Sequence, residues 1–271
     1  MSERGRSPAA GKTVLLTNDD GFGAPGLNAV HRALHATGYT TSIVAPRDER
    51  SGIGHAFTFN APLRCRKHSG NGEAPGYAVD GTPSDCVKLA VCELLAFKPD
   101  VVVAGMNVGE NSGTSGFYSG TVAAAREGAL WGIPSFAFSV CEEAGEHVED
   151  YAQRAVEIMQ RVLALESDPK RGGTYYNINF PGCDPLRCRG VRVTRQSLAF
   201  FDDRYRRVVD DYGREGFVIY GEKKDVEPSE EYDSRALING FATVTPLGLD
   251  CTAHAAVSGL ASLRSVYGET H

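Results

Sequence analysis

The run Val14-Leu15-Leu16-Thr17 gives way at once to Asn18-Asp19-Asp20-Gly21. A short apolar, partly β-branched run predicts a first strand buried on both faces, as in a parallel sheet. Its carboxyl end opens into a polar loop punctuated by Gly21, Gly23 and Gly26. Two ionised carboxylates side by side repel at pH 7, and a divalent cation relieves that cost. Asn, Asp and Gly are also ordinary turn residues, so the tetrapeptide alone leaves both a turn and a metal site open.

Outward from this point, strand-like and helix-like segments alternate. Leu27, Val30 and Leu34 recur at helical spacing over Leu27–Thr37, and Tyr39–Ala45 reads as a second strand. Residues 57–80 are irregular, with hairpin-like pieces around Phe57-Thr58-Phe59 and Tyr77-Ala78-Val79. Thr82-Pro83-Ser84-Asp85 carries a helix-start signature, and the helix is expected to reach about Phe97. Asp100–Ala104 predicts a third buried strand ending in the polar loop Gly105–Asn111. Ser119-Gly120-Thr121 precedes a helix to about Trp131, then come a strand at Ser135–Val140, a helix at Val148–Leu165 and a strand at Tyr175–Asn179. This order predicts an α/β fold, a mostly parallel sheet with helices on both faces.

Beyond residue 190 the pattern changes. Val191–Thr194, Phe217–Tyr220 and Ala242–Thr245 alternate as antiparallel strands do, and the charged stretches 202–215 and 221–235 read as loops or a projecting arm. The expected division is a flexible tail at 1–11, a catalytic core at 12–190 and a β-rich extension at 191–271, with a terminal helix over 254–267.

Composition narrows the function classes. The net charge of −6 argues against a global grip on a nucleic-acid duplex. Seven scattered cysteines without a C-x-x-C pair fit neither a disulfide framework nor structural zinc, and point to a reducing cytoplasm. No apolar run has the length of a membrane span, and residues 1–11 lack the apolar stretch of a signal peptide.

In an open α/β sheet, ligands bind outside the carboxyl ends of the strands. The first strand brings Asp19 and Asp20 to that edge, the second Ser51, and the third Asn107 and Asn111. Carboxylate, hydroxyl and amide oxygens form a hard ligand set, suited to Mg²⁺ or Mn²⁺ and not to zinc. Ser119, Gly120 and Thr121 supply a helix start, with its outward N–H groups, for a phosphate. A cation beside such a cradle suits phosphoryl transfer to water: it neutralises the non-bridging oxygens and lowers the pKa of a bound water. His55 is read as structural or as a proton carrier and stays outside the catalytic set. Cys86 and Cys92 are read as buried, and Arg126 and Glu127 as surface or supporting residues.

Five stretches carry a family resemblance: Leu15–Gly21 with Ala24-Pro25-Gly26, Arg50-Ser51-Gly52, Gly81–Val87, Gly105–Asn111, and Tyr118–Ala125. With Ala236-Leu237 and Gly240–Leu249, they resemble the SurE family, the stationary-phase survival proteins that act as 5′/3′-nucleotidases. The likeness runs in order from about residue 13 to about 252. It implies a Rossmann-like core, one divalent metal (Mg²⁺ or Mn²⁺) per subunit on Asp19, Asp20, Ser51 and Asn107, and hydrolysis of nucleoside monophosphates. It also implies a homodimer or homotetramer that exchanges C-terminal segments. Two departures bear on substrate range. Ser115-Gly116 stands where members often carry an acid, and Glu231 and Asp233 stand for the usual aspartate pair.

Three rival readings are set beside the metal-dependent phosphomonoesterase, in which Asp19 or Asp20 places the attacking water. An aspartyl-phosphate route competes, because an Asp at a strand end is also a nucleophile. A nucleotide-binding regulator without turnover is the second. A dinucleotide-dependent oxidoreductase is the weakest, since two acids precede the glycines and G-x-G-x-x-G is absent.

Overall fold

The structure, a computed structural model, describes residues 11–69, 75–165 and 173–260. In chain order it contains β1 (Thr13–Thr17), α1 (Pro25–Ala36), β2 (Thr40–Pro46), β3 (Cys65–His68), β4 (Gly76–Val79), α2 (Pro83–Leu89) and β5 (Val101–Val108). Next come α3 (Ser115–Tyr118), α4 (Gly120–Leu130), β6 (Ser135–Val140), α5 (Val148–Leu165) and β7 (Thr174–Phe180). The remainder holds β8 (Val191–Val193), β9 (Phe200–Phe201), β10 (Arg204–Val209), β11 (Glu215–Tyr220), β12 (Lys223–Lys224), α6 (Asp233–Ile238), β13 (Ala242–Gly248) and α7 (His254–Gly259).

A nine-stranded sheet runs β3-β4-β2-β1-β5-β6-β7-β13-β8. Strands β4, β2, β1, β5, β6 and β7 are mutually parallel. The alternation of β1 feeds two cores, because successive side chains leave opposite faces. Val14 and Leu16 pack with Leu27, Val30 and Leu34 of α1 and with α5, whereas Leu15 packs with Cys86 and Val87 of α2 and Ala124 of α4. Pro25 starts α1 and Gly38, at φ +85°, follows its end. The chain order reverses between β1 and β5, where a doubly wound sheet opens a crevice at its carboxyl edge.

The structure departs from the sequence reading in several places. The helix expected to reach Phe97 ends as α2 at Leu89, closed by a single π-helical turn over Ala90–Leu94. The loop expected at Gly105 is the end of β5, which pairs Asn107 with Ser139 across a register shift after Ala104. Residues 191–193 and 242–248, expected as antiparallel strands, join the main sheet, where only 242–248 is antiparallel to its neighbour β7. β13 lies antiparallel along β7 and β8 lies parallel to β13, giving the otherwise open edge of β7 a partner. As expected, Phe217–Tyr220 is antiparallel: it belongs to β11, which pairs with β10 in a two-stranded hairpin. Residues 1–10 of the expected tail, and 261–267 of the expected terminal helix, lie outside the described residues. No helix of the described residues is long and apolar enough to cross a membrane.

Candidate active site

Where β1 ends, Asp19 is only 4% exposed. Its Oδ1 accepts a hydrogen bond from the Thr121 hydroxyl, which sits in the first turn of α4. Gly120 permits this approach: a Cβ there would stand 2.8 Å from the Asp19 Cβ and 2.9 Å from its Oδ2. Burial pushes the Asp19 carboxyl above its ordinary value, and the Thr121 hydroxyl and the backbone at Gly120 and Thr121 pull against it. The Arg50 backbone N–H donates to the Asp19 carbonyl (2.7 Å), which seats the loop after β2 against the loop after β1.

Ser51 follows Arg50, and its Oγ donates to Glu49 Oε1 (2.7 Å). Asn107 donates its Nδ2 to the Gly109 carbonyl (2.6 Å), and its Oδ1 has no hydrogen-bond donor among the described residues. Asn111 is 8% exposed and fixed on both sides, its backbone N–H on Asn179 Oδ1 and its Nδ2 on Ser139 Oγ (both 2.8 Å). Ser119 caps α4 by accepting from the Val122 N–H (3.1 Å).

Asp19, Asp20, Ser51, Asn107, Asn111 and Ser119 all line one cavity of about 350 Å³. Gly120 and Thr121 lie behind it and face Asp19. Four carboxylates line the cavity, from Asp19, Asp20, Glu49 and Glu110, the last paired with Lys223 of β12, and no Lys or Arg is among the described lining residues. Burial, then the charges of Asp19 and Glu49, push the Asp20 carboxyl up to about 7. This excess negative charge, with hydroxyl and amide oxygens between the acids, fits a hard divalent cation. Among the described residues, no group of three or more His, Cys, Asp or Glu forms a metal cluster. The oxygens of Ser51 and Asn107 line the same cavity as those of Asp19 and Asp20.

Several residues of the site went unnoticed in the sequence. Glu49 sits two residues before Ser51 in a charged run with no distinguishing pattern. Glu110 is paired with Lys223 of β12, which also donates to the Ser112 carbonyl (3.0 Å) and hydroxyl (2.9 Å). Phe201 of β9 reaches the same cavity. Asp233, noted in the sequence only as standing for a family aspartate, is fully buried and accepts from the Gly113 (3.1 Å) and Ser197 (2.9 Å) backbone N–H groups, which ties the C-terminal part of the chain to the loop after β5. Glu127, read as a surface or supporting residue, is 1% exposed. It binds His55 (2.9 Å), Lys88 (2.8 Å) and the Trp131 indole N–H (2.8 Å). Burial raises its carboxyl, and those three partners outweigh burial and hold it below its ordinary value. His55 is thus anchored on α4.

The family model described as Survival protein SurE matches residues 14–203. The chain belongs to the SurE family. It is 40% identical over 242 residues to the 5′-nucleotidase SurE of Aquifex aeolicus, covering 89% of this chain and 93% of that one. To the 5′-nucleotidase SurE 1 of Thermus thermophilus it is 41% identical over 252 residues, covering 92% and 97%. The crystal structure of the SurE protein from Aquifex aeolicus superposes with a TM-score of 0.79 at 38% identity, over 93% of this chain and all of that one. The SurE membership agrees with the resemblance read from the motifs, and the α/β fold is shared with a solved member.

Proposed function

We propose that this SurE chain is a divalent-metal-dependent phosphomonoesterase that hydrolyses nucleoside monophosphates, as a 5′-nucleotidase. One observation carries the reading: a cavity walled by four carboxylates stands at the start of α4, the place where a parallel sheet receives phosphates. A phosphate monoester carries about two negative charges near neutral pH, and such a wall repels it unless a cation lies between. The curated relatives named as 5′-nucleotidases support the substrate class.

Asp19, Asp20, Ser51 and Asn107 would hold one Mg²⁺ or Mn²⁺ ion. When bound, the ion supplies charge neutralisation at the phosphate oxygens and acidifies water. The protein's own groups divide the remaining work. Thr121 and the start of α4 fix Asp19 as a rigid ligand, while half-buried Asp20 orients water and takes its proton. Asn111 and Ser119 bound the phosphate side, and the N–H groups of the first turn of α4 favour its charge. The exposed apolar hairpin β10–β11 supports assembly into a homodimer or homotetramer, and the lack of a disulfide pattern supports a cytoplasmic enzyme.

Phosphate release from a panel of nucleoside monophosphates, with Mg²⁺ or Mn²⁺ supplied, tests the proposal. Wild type releases phosphate, and Asp19→Asn loses metal binding and nearly all turnover. Absence of release from every nucleotide overturns the enzyme reading. Full activity in Asp19→Asn removes Asp19 from the ligand set.

A further inference from the structure

The polar end of the cavity explains a phosphate and a cation, but three of its lining residues serve neither. Val108, Tyr118 and Phe201 line the same cavity with large apolar side chains that are 44%, 68% and 48% exposed. None of them belongs to the buried core. Each adjoins a group of the polar end or is tied to it. Val108 follows Asn107, and Tyr118 precedes Ser119. Phe201 pairs in register with Lys223, whose ammonium bonds to Glu110 in the cavity wall.

The placement of Phe201 is braced at a second point. Two residues before it, the Ala199 carbonyl accepts from both the N–H and the hydroxyl of Thr114 (2.9 Å each). The Gln196 amide donates to the Gly113 carbonyl (2.8 Å). A backbone held this way places the ring beside the polar cavity before any ligand arrives, so less ordering is lost on binding. Flat heteroaromatic rings are the ligands that aromatic side chains take without hydrogen-bond readout, and stacking tolerates every base.

We infer that Tyr118 and Phe201, with Val108, form a stacking wall for the nucleobase of the substrate, so that base recognition rests on a residue from the C-terminal part of the chain. The inference rests on the nucleotidase reading and deepens it.

The test compares AMP with ribose 5-phosphate, which has the phosphate and sugar but no base, with Mg²⁺ or Mn²⁺ supplied. Wild type shows a higher kcat/KM for AMP, and Phe201→Ala lowers the AMP to ribose 5-phosphate ratio about tenfold, mainly through the KM for AMP. Phe201→Trp restores the ratio because it keeps a ring. An unchanged ratio in Phe201→Ala, or equal losses on both esters, overturns the stacking wall. Wild type that cleaves neither ester overturns the nucleotidase reading instead. The wall is then tested by calorimetric binding of the same two compounds, where equal affinities overturn it.

Discussion

Asp19 and Asp20 are neighbours in sequence with opposite circumstances. Asp19 is buried and spoken for by Thr121 and the start of α4, whereas Asp20 is only partly buried and takes the repulsion of Asp19 and Glu49. The consequence is a dependence of stability on pH in the metal-free protein. Asp20 has an ordinary value of 3.8 and is raised to about 7 in the fold, so between those values the folded state holds a proton that the unfolded chain has released. A raised carboxyl favours folding at low pH, and that contribution is lost as pH rises through this window. Burial shifts Asp19 in the same direction. Glu127 is shifted the opposite way, and its contribution is already complete above its ordinary value of 4.5. Thermal unfolding in EDTA should therefore show the midpoint falling from pH 5 to pH 7.5. Mg²⁺ should restore it at the upper end, because deprotonated carboxylates bind the ion. Asp20→Asn flattens the slope, and a slope unaltered in that variant removes Asp20 as its source.

At the scale of elements, a strand end is useful only if its neighbours are held in register with it. The segment after Ser51 has no regular structure through Phe59, yet buried carboxylates pin it at two points. Glu127 of α4 binds His55, and Asp85 of α2 accepts from the Thr58 N–H (2.8 Å) and hydroxyl (2.7 Å) while also completing the capping box with Thr82. Removing Glu127 leaves His55, Lys88 and the Trp131 indole short of an acceptor. Glu127→Ala should cost about 2–3 kcal/mol, most of it desolvation no longer compensated. For a chain of this size that corresponds to a melting midpoint lower by roughly 5–9 °C. The same variant should need more Mg²⁺ for half-maximal turnover, because the strap that places Ser51 is loosened; Glu127→Gln should recover part of both. A midpoint shift without any change in metal requirement separates the strap from the site. Sequence reading reached β1, the start of α2 and α4 because apolar runs, a Thr-Pro start and a Ser cap are local signals. It missed the role of Glu127 because a buried carboxylate on a helix looks like any exposed one until its distant partners are known.

The whole molecule shows why the C-terminal part was the hardest to read. β13 pairs with β7 only after the chain has left the sheet, built a hairpin and returned, and no local pattern records that choice of partner. The same holds for Lys223 on Glu110 and Asp233 on Gly113, pairs 113 and 120 residues apart. These contacts make the C-terminal part a clamp on the loop after β5, which carries Glu110 and Asn111. The hairpin β10–β11 forms a two-stranded sheet separate from the main one, and its large apolar residues stay mostly exposed: Tyr205, Phe217 and Ile219 are 66%, 65% and 52% exposed. A lone two-stranded hairpin is marginal in water, and an apolar one invites a second copy. Phe217 and Ile219 share one face of β11, two residues apart. Burying what is still exposed of both against a partner contributes about 2–3.5 kcal/mol per protomer, enough to shift a dissociation constant by more than tenfold. Light scattering on the eluted protein should therefore find wild type as a dimer or tetramer, and Phe217→Asp with Ile219→Asp as a monomer of unchanged helix and strand content. Wild type that is monomeric at micromolar concentration, or a double variant that stays assembled, shows that the hairpin face is not what joins the subunits.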